Sequence, residues 1–392
     1  MARFIAIPVG QGDAFYLERE SFSVLVDGGR GRTSFPFMFK SVTGVNSVNV
    51  VVCTHNDQDH ANGILGFLES ALQCDEVWLP GRWLDVLPDI LKPLNEVFVE
   101  LVENISDMEK HQNEALRKPD TTSIEVYSEQ IDGITVETGS LNDGTMLGED
   151  WWPESCIEML EQSESWELSS HWLNPIYFMH PHFYAMFRSA AHGQLLWSAI
   201  DAASRIRAIA IAAFNRGVPV RWFEFNPTAP SGGKAELRPV NASEIKMVNA
   251  RGGMLLNFLA LTVANKESLV FFSPPGNNHP GVMFTADSDL ANLTIPSNLD
   301  YAITTAPHHG SEANANAYRA VQSAKCSSIT WIRSDGRYRQ RPGASYLHLK
   351  SRRLCTLCRC KAGSQAPKQV VHLYSRSGRW VRHRSSQLCS CK

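Results

Sequence analysis

The chain has no uninterrupted run of about 18 apolar residues, which excludes a membrane-spanning helix of ordinary length. It has no internal repeat, no low-complexity tract and no heptad pattern, so solenoid and coiled-coil architectures are excluded as well. Cysteine is sparse before residue 350. Only Cys53, Cys74, Cys156 and Cys326 occur there, in apolar settings that suit small buried hydrophobes rather than a disulfide framework. The apolar start Ile5-Ala6-Ile7-Pro8-Val9 is broken at Pro8 and Gln11, so it reads as a strand and not as a secretory leader. A cytoplasmic protein without membrane association is expected. Ser231-Gly232-Gly233-Lys234 lacks the glycine spacing of a phosphate-binding loop.

What remains is ordinary globular material. The 392 residues are 43% hydrophobic and 20% charged, enough for one large domain with an insertion or for two domains. The net charge of −3 is unevenly spread: Arg333 to Lys392 carries 15 Lys or Arg and one acid, leaving −17 on the first 332 residues. A basic end on an acidic body suggests a polyanionic ligand or an acidic partner, or else a tail that folds back on its own body.

The chemistry concentrates in Thr54-His55-Asn56-Asp57-Gln58-Asp59-His60, directly after the apolar run Val48–Cys53. Buried carboxylates beside a strand end are costly to desolvate unless a cation neutralises them. His55 and Asp57 alternate onto one side of the chain, while Asp59 and His60 belong to the following turn and helix start. Two such pairs suit one or two adjacent divalent ions. Gly63 would let the helix approach the preceding strands closely. A polar turn capped by Asp and His is the competing reading.

Further segments add carboxylates and imidazoles at strand ends. Asp27 follows Phe22–Val26 and reads either as a ligand-orienting acid or as an Asp-Gly turn. Asp13, between turn glycines and a strand, reads as a turn-capping acid. Asp287 ends the strand Gly281–Thr285, with Asp289 two residues on as an alternative, and His308 and His309 follow Tyr301–Thr305.

In this order the motifs resemble the metallo-β-lactamase fold superfamily, whose signature is H-x-H-x-D-H. This chain reads H-x-D-x-D-H, with Asp57 at the second His, and so looks like the branch typified by the metallohydrolase domain of the DNA-uptake protein ComEC. Pro8–Ala14, Val24–Gly29, Met283–Asp287 and Ala306–Ser311 are similar to further motifs of that branch, and the resemblance covers about residues 1–105 and 260–345. It implies a four-layer αββα sandwich and a metal set of His55, Asp57, Asp59, His60, Asp287 and His309. Asp287 would bridge, and His308 would face substrate or support a ligand, although the reverse assignment of the two histidines stays open. Asp59, His60 and His308 are the implied catalytic residues.

Two departures follow from the same comparison. Asn265 stands near a third His that the superfamily commonly has, which makes the first metal position oxygen-rich and shifts expectation from zinc toward Mn²⁺ or Mg²⁺. Arg341, in Gly336–Pro342, replaces a His. An Arg can clamp phosphate but cannot protonate a leaving group.

The tail holds five of the nine cysteines. Cys355-Thr356-Leu357-Cys358 is a C-x-x-C pair and Cys389-Ser390-Cys391 a tighter one, a spacing that suits a structural zinc on Cys355, Cys358, Cys389 and Cys391, with Cys360 or His372 as substitutes and disulfides as the rival reading. The expected organisation is a hydrolase domain over 1–345 and a basic Cys-rich tail over 346–392. The domain would contain a mainly helical, Trp-rich insertion at 107–250, with a helix over Ser189–Asn215. His180, His182 and His192 within it read as surface or core residues. The expected function is metal-assisted hydrolysis of a phosphodiester, in a nucleic acid or a nucleotide, by a metal-activated water. A zinc acyl hydrolase, or a catalytically weak scaffold answering to a regulatory protein partner, are the alternatives.

Overall fold

A computed structural model describes residues 1–92, 145–147, 152–163, 190–248, 267–324, 328–334, 341–358 and 368–391. Strands form where apolar residues alternate or run continuously. They are β1 Arg3–Ala6, β2 Phe15–Arg19, β3 Phe22–Val26, β4 Ser47–Val52, β5 Gln73–Pro80, β6 Thr145–Met146, β7 Val220–Phe225, β8 Arg238–Pro239, β9 Ala242–Ile245, β10 Met247–Val248, β11 Phe271–Ser273, β12 Val282–Phe284, β13 Ile303–Thr305, β14 Thr330–Arg333, β15 Arg352–Cys355, β16 Val371–Arg376 and β17 Arg379–Arg382. The described α-helices are α1 Phe35–Thr43, α2 Gln58–Glu69, α3 Leu87–Ile90, α4 Glu154–Glu161, α5 Ala190–Asn215, α6 Ala315–Ser323 and α7 Ala344–Leu347.

The architecture is mixed α/β with two mixed sheets. One has nine strands in the order β17-β16-β1-β2-β3-β4-β5-β7-β9, and the other six in the order β15-β14-β13-β12-β11-β8. In the first, β3, β4, β5 and β7 run parallel. In the second, β12, β13, β14 and β15 do.

The period-2 geometry of a strand sends successive side chains to opposite faces. Val24 and Val26 join a core with Phe271, Val282, Phe284, Ile303 and Ile332, so this core belongs to both sheets. Leu25 points the other way, into a core shared with Phe39 of α1, Ile64 and Phe67 of α2, and Ile206 and Ile209 of α5. The far face of the second sheet carries Met283 and Trp331 against Tyr318 of α6 and Tyr346 of α7. Each fully buried large apolar side chain contributes roughly 1.5–3 kcal/mol of transfer free energy. The three cores are therefore the main cohesive force.

One sequence expectation changes here, and the fold adds to others. The segment 107–250 is not wholly an insertion: its last part forms β7 and β9, which extend the first sheet beyond β5, because Val220, Trp222 and Phe223 are buried there. After β5 the chain forms a 3₁₀ turn at Gly81–Asp85 and the short α3, with Pro88 in its first turn. The basic end takes the fold-back reading that its charge left open: β15 pairs with β14 in the second sheet and β16 pairs with β1 in the first, burying Val371, Leu373 and Trp380. The helix α1 was not foreseen, since its apolar residues Phe35, Phe37, Met38 and Phe39 obscure the helical period. The helix expected over Ser189–Asn215 is present as α5.

Candidate metal centre

The centre lies beyond the carboxyl ends of parallel strands from both sheets, where open α/β sheets generally bind ligands. β4 ends at Val52 and the chain turns through His55 and Asp57 into α2. Asp57 is the N-cap residue of α2, but its side chain makes no capping hydrogen bond. It faces His55 instead, with Oδ2 3.9 Å from His55 Nε2. Asp59 and His60 occupy the first turn. Two glycines set this turn against the first sheet: a Cβ on Gly63 would lie 1.9 Å from the Gly28 carbonyl oxygen, and one on Gly12 would lie 1.6 Å from the Asp59 carbonyl oxygen. Only glycine permits both approaches.

The second half of the centre comes from the other sheet. Asp287 follows β12, its amide donating to Ser268 Oγ at 3.0 Å. His308 and His309 follow β13, both in the left-handed region with φ of 47° and 55°. Two consecutive non-glycine residues in that region carry strain that the surrounding packing must hold.

These residues converge. His60 Nε2 lies 3.2 Å from Asp287 Oδ1, while His55 Nε2 and His308 Nε2 lie 3.7 Å and 3.5 Å from Asp287 Oδ2. His309 Nε2 lies 3.3 Å from Asp59 Oδ2. The His55 and His60 rings are 4.1 Å apart and the His60 and His309 rings 5.3 Å. One ligand atom each from His55, His60 and Asp287 falls within a 4.8 Å cluster, as does one each from Asp13, His60 and His309.

The other ring nitrogen of each buried histidine is already committed. His60 Nδ1 donates to Asp27 Oδ2 at 2.8 Å. His309 Nδ1 donates to Asp13 Oδ1 at 3.0 Å. Thr54 Oγ1 gives its hydrogen to Asp27 Oδ2 at 2.8 Å, so His55 Nδ1 donates to that hydroxyl at 2.9 Å. All three imidazoles are thus fixed with Nε2 turned inward, and those Nε2 atoms, with Asp287 Oδ1, are buried without a hydrogen-bond partner. Ligand histidines are ordinarily oriented in this way. Asp13 is therefore a buried orienting acid rather than the turn cap that its flanking glycines suggest.

His308 differs. Its side chain is 27% exposed against 1% for His309. Its Nδ1 faces Asn314 Oδ1 at 3.3 Å, and its Nε2 accepts from the Arg341 guanidinium. Nε2 of His308 is thus engaged by Arg341, whereas Nε2 of His309 is buried inside the cluster.

Charge balance points to a cation. Burial alone would push the Asp287 carboxyl up, but His60, His55 and His309 outweigh it and hold it well below the usual range. Burial likewise opposes ionisation of Asp59, and the nearby His309, its Nε2 3.3 Å away, together with His60 reverses the balance. Burial would lower His309, yet Asp13 and Asp59 push it up to about 10, and Asp287 and Asp27 raise His60 well above its ordinary value. Protons on the imidazoles neutralise the carboxylates, which is the place that divalent ions would take. Burial is the main cause that lowers His308, which keeps it neutral beside Arg341. The donor set of imidazole and carboxylate fits Zn²⁺ or Mn²⁺.

The helix α5 closes one side. Arg205 donates to the Asn56 carbonyl and, at 3.0 Å, to Asn62 Oδ1, and Gln58 Nε2 donates to Asp201 Oδ2 at 2.9 Å. Arg205 had no sequence signal, because nothing in an Ala-rich helix says which loop its one buried Arg will meet. In the tail, Cys355, Cys358, Cys389 and Cys391 bring their sulfurs within 4.8 Å of one another. His372 stacks on His383, with ring centres 5.1 Å apart, and is not part of that cluster. Asn265, Gly336 to Gln340, Cys326, Cys360, His180 and His182 lie outside the described residues, as does the side chain of His192. No protein-family model matches the chain, and no curated protein matches it significantly.

Proposed function

We propose that the protein is a metal-dependent hydrolase with a four-layer αββα sandwich resembling the metallo-β-lactamase fold, and that it cleaves phosphodiesters in nucleic acid or nucleotides. The observation that carries this reading is the set of three buried imidazoles, each tied at Nδ1 by a protein acceptor and each presenting Nε2 toward Asp287 or Asp59. His55, Asp57, Asp59, His60, Asp287 and His309 would hold one or two divalent ions, with Asp287 between the two halves. A bound divalent ion would supply Lewis acidity and lower the pKa of its water toward neutrality.

The chain's own residues complete the site. Asp59 reaches over His309 and is partly exposed, so it can orient an attacking water as well as ligate. Arg341 stands against His308 Nε2 on the open side and offers its remaining donors to a phosphate oxygen; a planar, permanently charged Arg suits that role. No helix among the described residues is long and apolar enough to cross a membrane. The basic sequence from Arg333 onward favours a polyanionic substrate.

One observation favours a second reading. Arg341 occupies His308 Nε2, so this pair offers no proton to a leaving group, as a catalytically weak scaffold would allow. Cleavage of single- and double-stranded DNA and RNA with Mn²⁺, Mg²⁺ or Zn²⁺, beside Asp59→Ala, separates the two. Metal-dependent cleavage lost in the variant supports the hydrolase. A metal-loaded protein inert toward every polymer, whose Asp59→Ala form behaves identically, rejects it.

A further inference from the structure

The carboxyl end of β15 meets the last described residues of the chain, and four cysteines face one another there. Cys355 and Cys391 are buried and Cys358 and Cys389 half-buried, and none is disulfide-bonded. Their sulfurs lie within 4.8 Å of one another. A tetrahedral ion at about 2.3 Å from each sulfur sets sulfurs about 3.8 Å apart, so the cluster needs only slight contraction.

The surroundings are built for negative sulfur. Arg333, buried at the end of β14, is the register partner of Cys355. Its Nε donates to Cys355 Sγ and its Nη2 to Cys391 Sγ, both at 3.5 Å. The Ser390 amide donates to Cys358 Sγ at 3.5 Å, and Tyr346 Oη lies 3.4 Å from Cys355 Sγ. Neutral thiols are weak acceptors that do not require such donors. Four thiolates around a divalent ion carry net charge −2, which Arg333 half-compensates.

The same guanidinium reaches the other centre. Arg333 Nη1 faces the His309 carbonyl at 3.5 Å, and a Cβ on Gly310 would lie 2.9 Å from Arg333 Cδ. One side chain therefore touches both the sulfur cluster and the strained turn that presents His309.

We infer that Cys355, Cys358, Cys389 and Cys391 bind a structural zinc ion, and that Arg333, held by the zinc–thiolate cluster, positions the His309 turn. The zinc staples the last strands of both sheets, since Cys389 is itself tied to Arg353 of β15 by its amide at 3.0 Å. Only the positioning half rests on the metal centre proposed above; the zinc half stands alone.

The test uses the full chain, wild type and Cys358→Ser, with Asp59→Ala as the reverse control. Cobalt replacing zinc should give intense sulfur-to-cobalt charge-transfer absorption that is lost in Cys358→Ser and retained in Asp59→Ala. Thiol titration of wild type gives the same answer without a variant: the four tail thiols should react only after chelation. Cobalt-loaded wild type lacking thiolate absorption, or tail thiols that react freely before chelation, would overturn the zinc site. For the positioning half, Mn²⁺ affinity at the histidine centre should fall about tenfold in Cys358→Ser, the lower end of the usual loss for an outer-shell partner. Unchanged affinity in a folded variant overturns that half, whether or not the protein hydrolyses anything.

Discussion

His60 Nε2 lies 3.2 Å from Asp287 Oδ1, both side chains buried and 227 residues apart in the chain. Neither atom has a hydrogen-bond partner. Asp287→Asn keeps the shape but removes the charge between His55, His60 and His308. The variant should fold, yet lose metal affinity by more than the roughly 10–100-fold that an outer-shell substitution costs. Metal content after dialysis measures this, and a fully loaded Asp287→Asn protein would exclude Asp287 as a ligand.

Asp27 and Asp13 act one step further out, each accepting from the Nδ1 of a buried histidine. Asp27→Asn and Asp13→Asn should each weaken metal binding by roughly 10–100-fold while leaving the ligand atoms in place. Titration with a competing chelator gives the number. Equal affinity in either variant would reduce that acid to a packing role.

The motif Thr54–His60 could be read from the chain because strand-end carboxylates and imidazoles are conspicuous against apolar runs, whereas the choice of Asp27, Asp287 and His309 rested on the family resemblance. The four tail cysteines were equally legible, since thiol pairs stand out in a Cys-poor sequence. Asp13 was misread because a carboxylate beside turn glycines has a local explanation, and only the fold brings it to His309. Arg205 and Arg333 were invisible for a related reason: a lone Arg in an apolar element looks like a surface charge. The late strands β7 and β9 were absorbed into an expected insertion because the long helix before them dominates the pattern.

Proton linkage gives a signed pH effect. His309 is pushed up to about 10 from an unfolded value near 6.5. Its stabilisation of the metal-free protein is fully present below about pH 6.5 and is lost as pH rises through about 10. The chelated protein should therefore show a falling urea midpoint across that window. Metal uptake must displace the same protons, so affinity should rise with pH over that range. A chelated protein whose midpoint climbs toward pH 10 would contradict the charge balance drawn for the centre.

Gly63 tests the approach of α2 to the first sheet. A methyl group there would sit 1.9 Å from the Gly28 carbonyl oxygen, and backbone cannot rotate away as a side chain can. Gly63→Ala should destabilise by about 1–3 kcal/mol or more, as overpacking does, and should loosen Asp59 and His60 with it. Denaturant unfolding reads the first effect and metal retention the second. A variant as stable as wild type would show that the helix can stand off without cost.

Arg341 decides between the two readings of the open face. Its guanidinium contacts His308 Nε2, and His308 lies 3.5 Å from Asp287. A phosphodiester held there would place a non-bridging oxygen against a permanent charge, an interaction worth about 1.5–3 kcal/mol when charge-assisted. If the site turns over phosphodiesters, Arg341→Ala should raise KM roughly tenfold or more with a smaller change in kcat. Arg341→Lys should recover only part of it, because Lys keeps the charge but loses the fork. The wild-type advantage should also shrink as salt increases, since a rim charge is screened and a buried one much less. A drop in kcat with KM unchanged would instead mean that Arg341 acts through His308, holding the imidazole rather than the substrate.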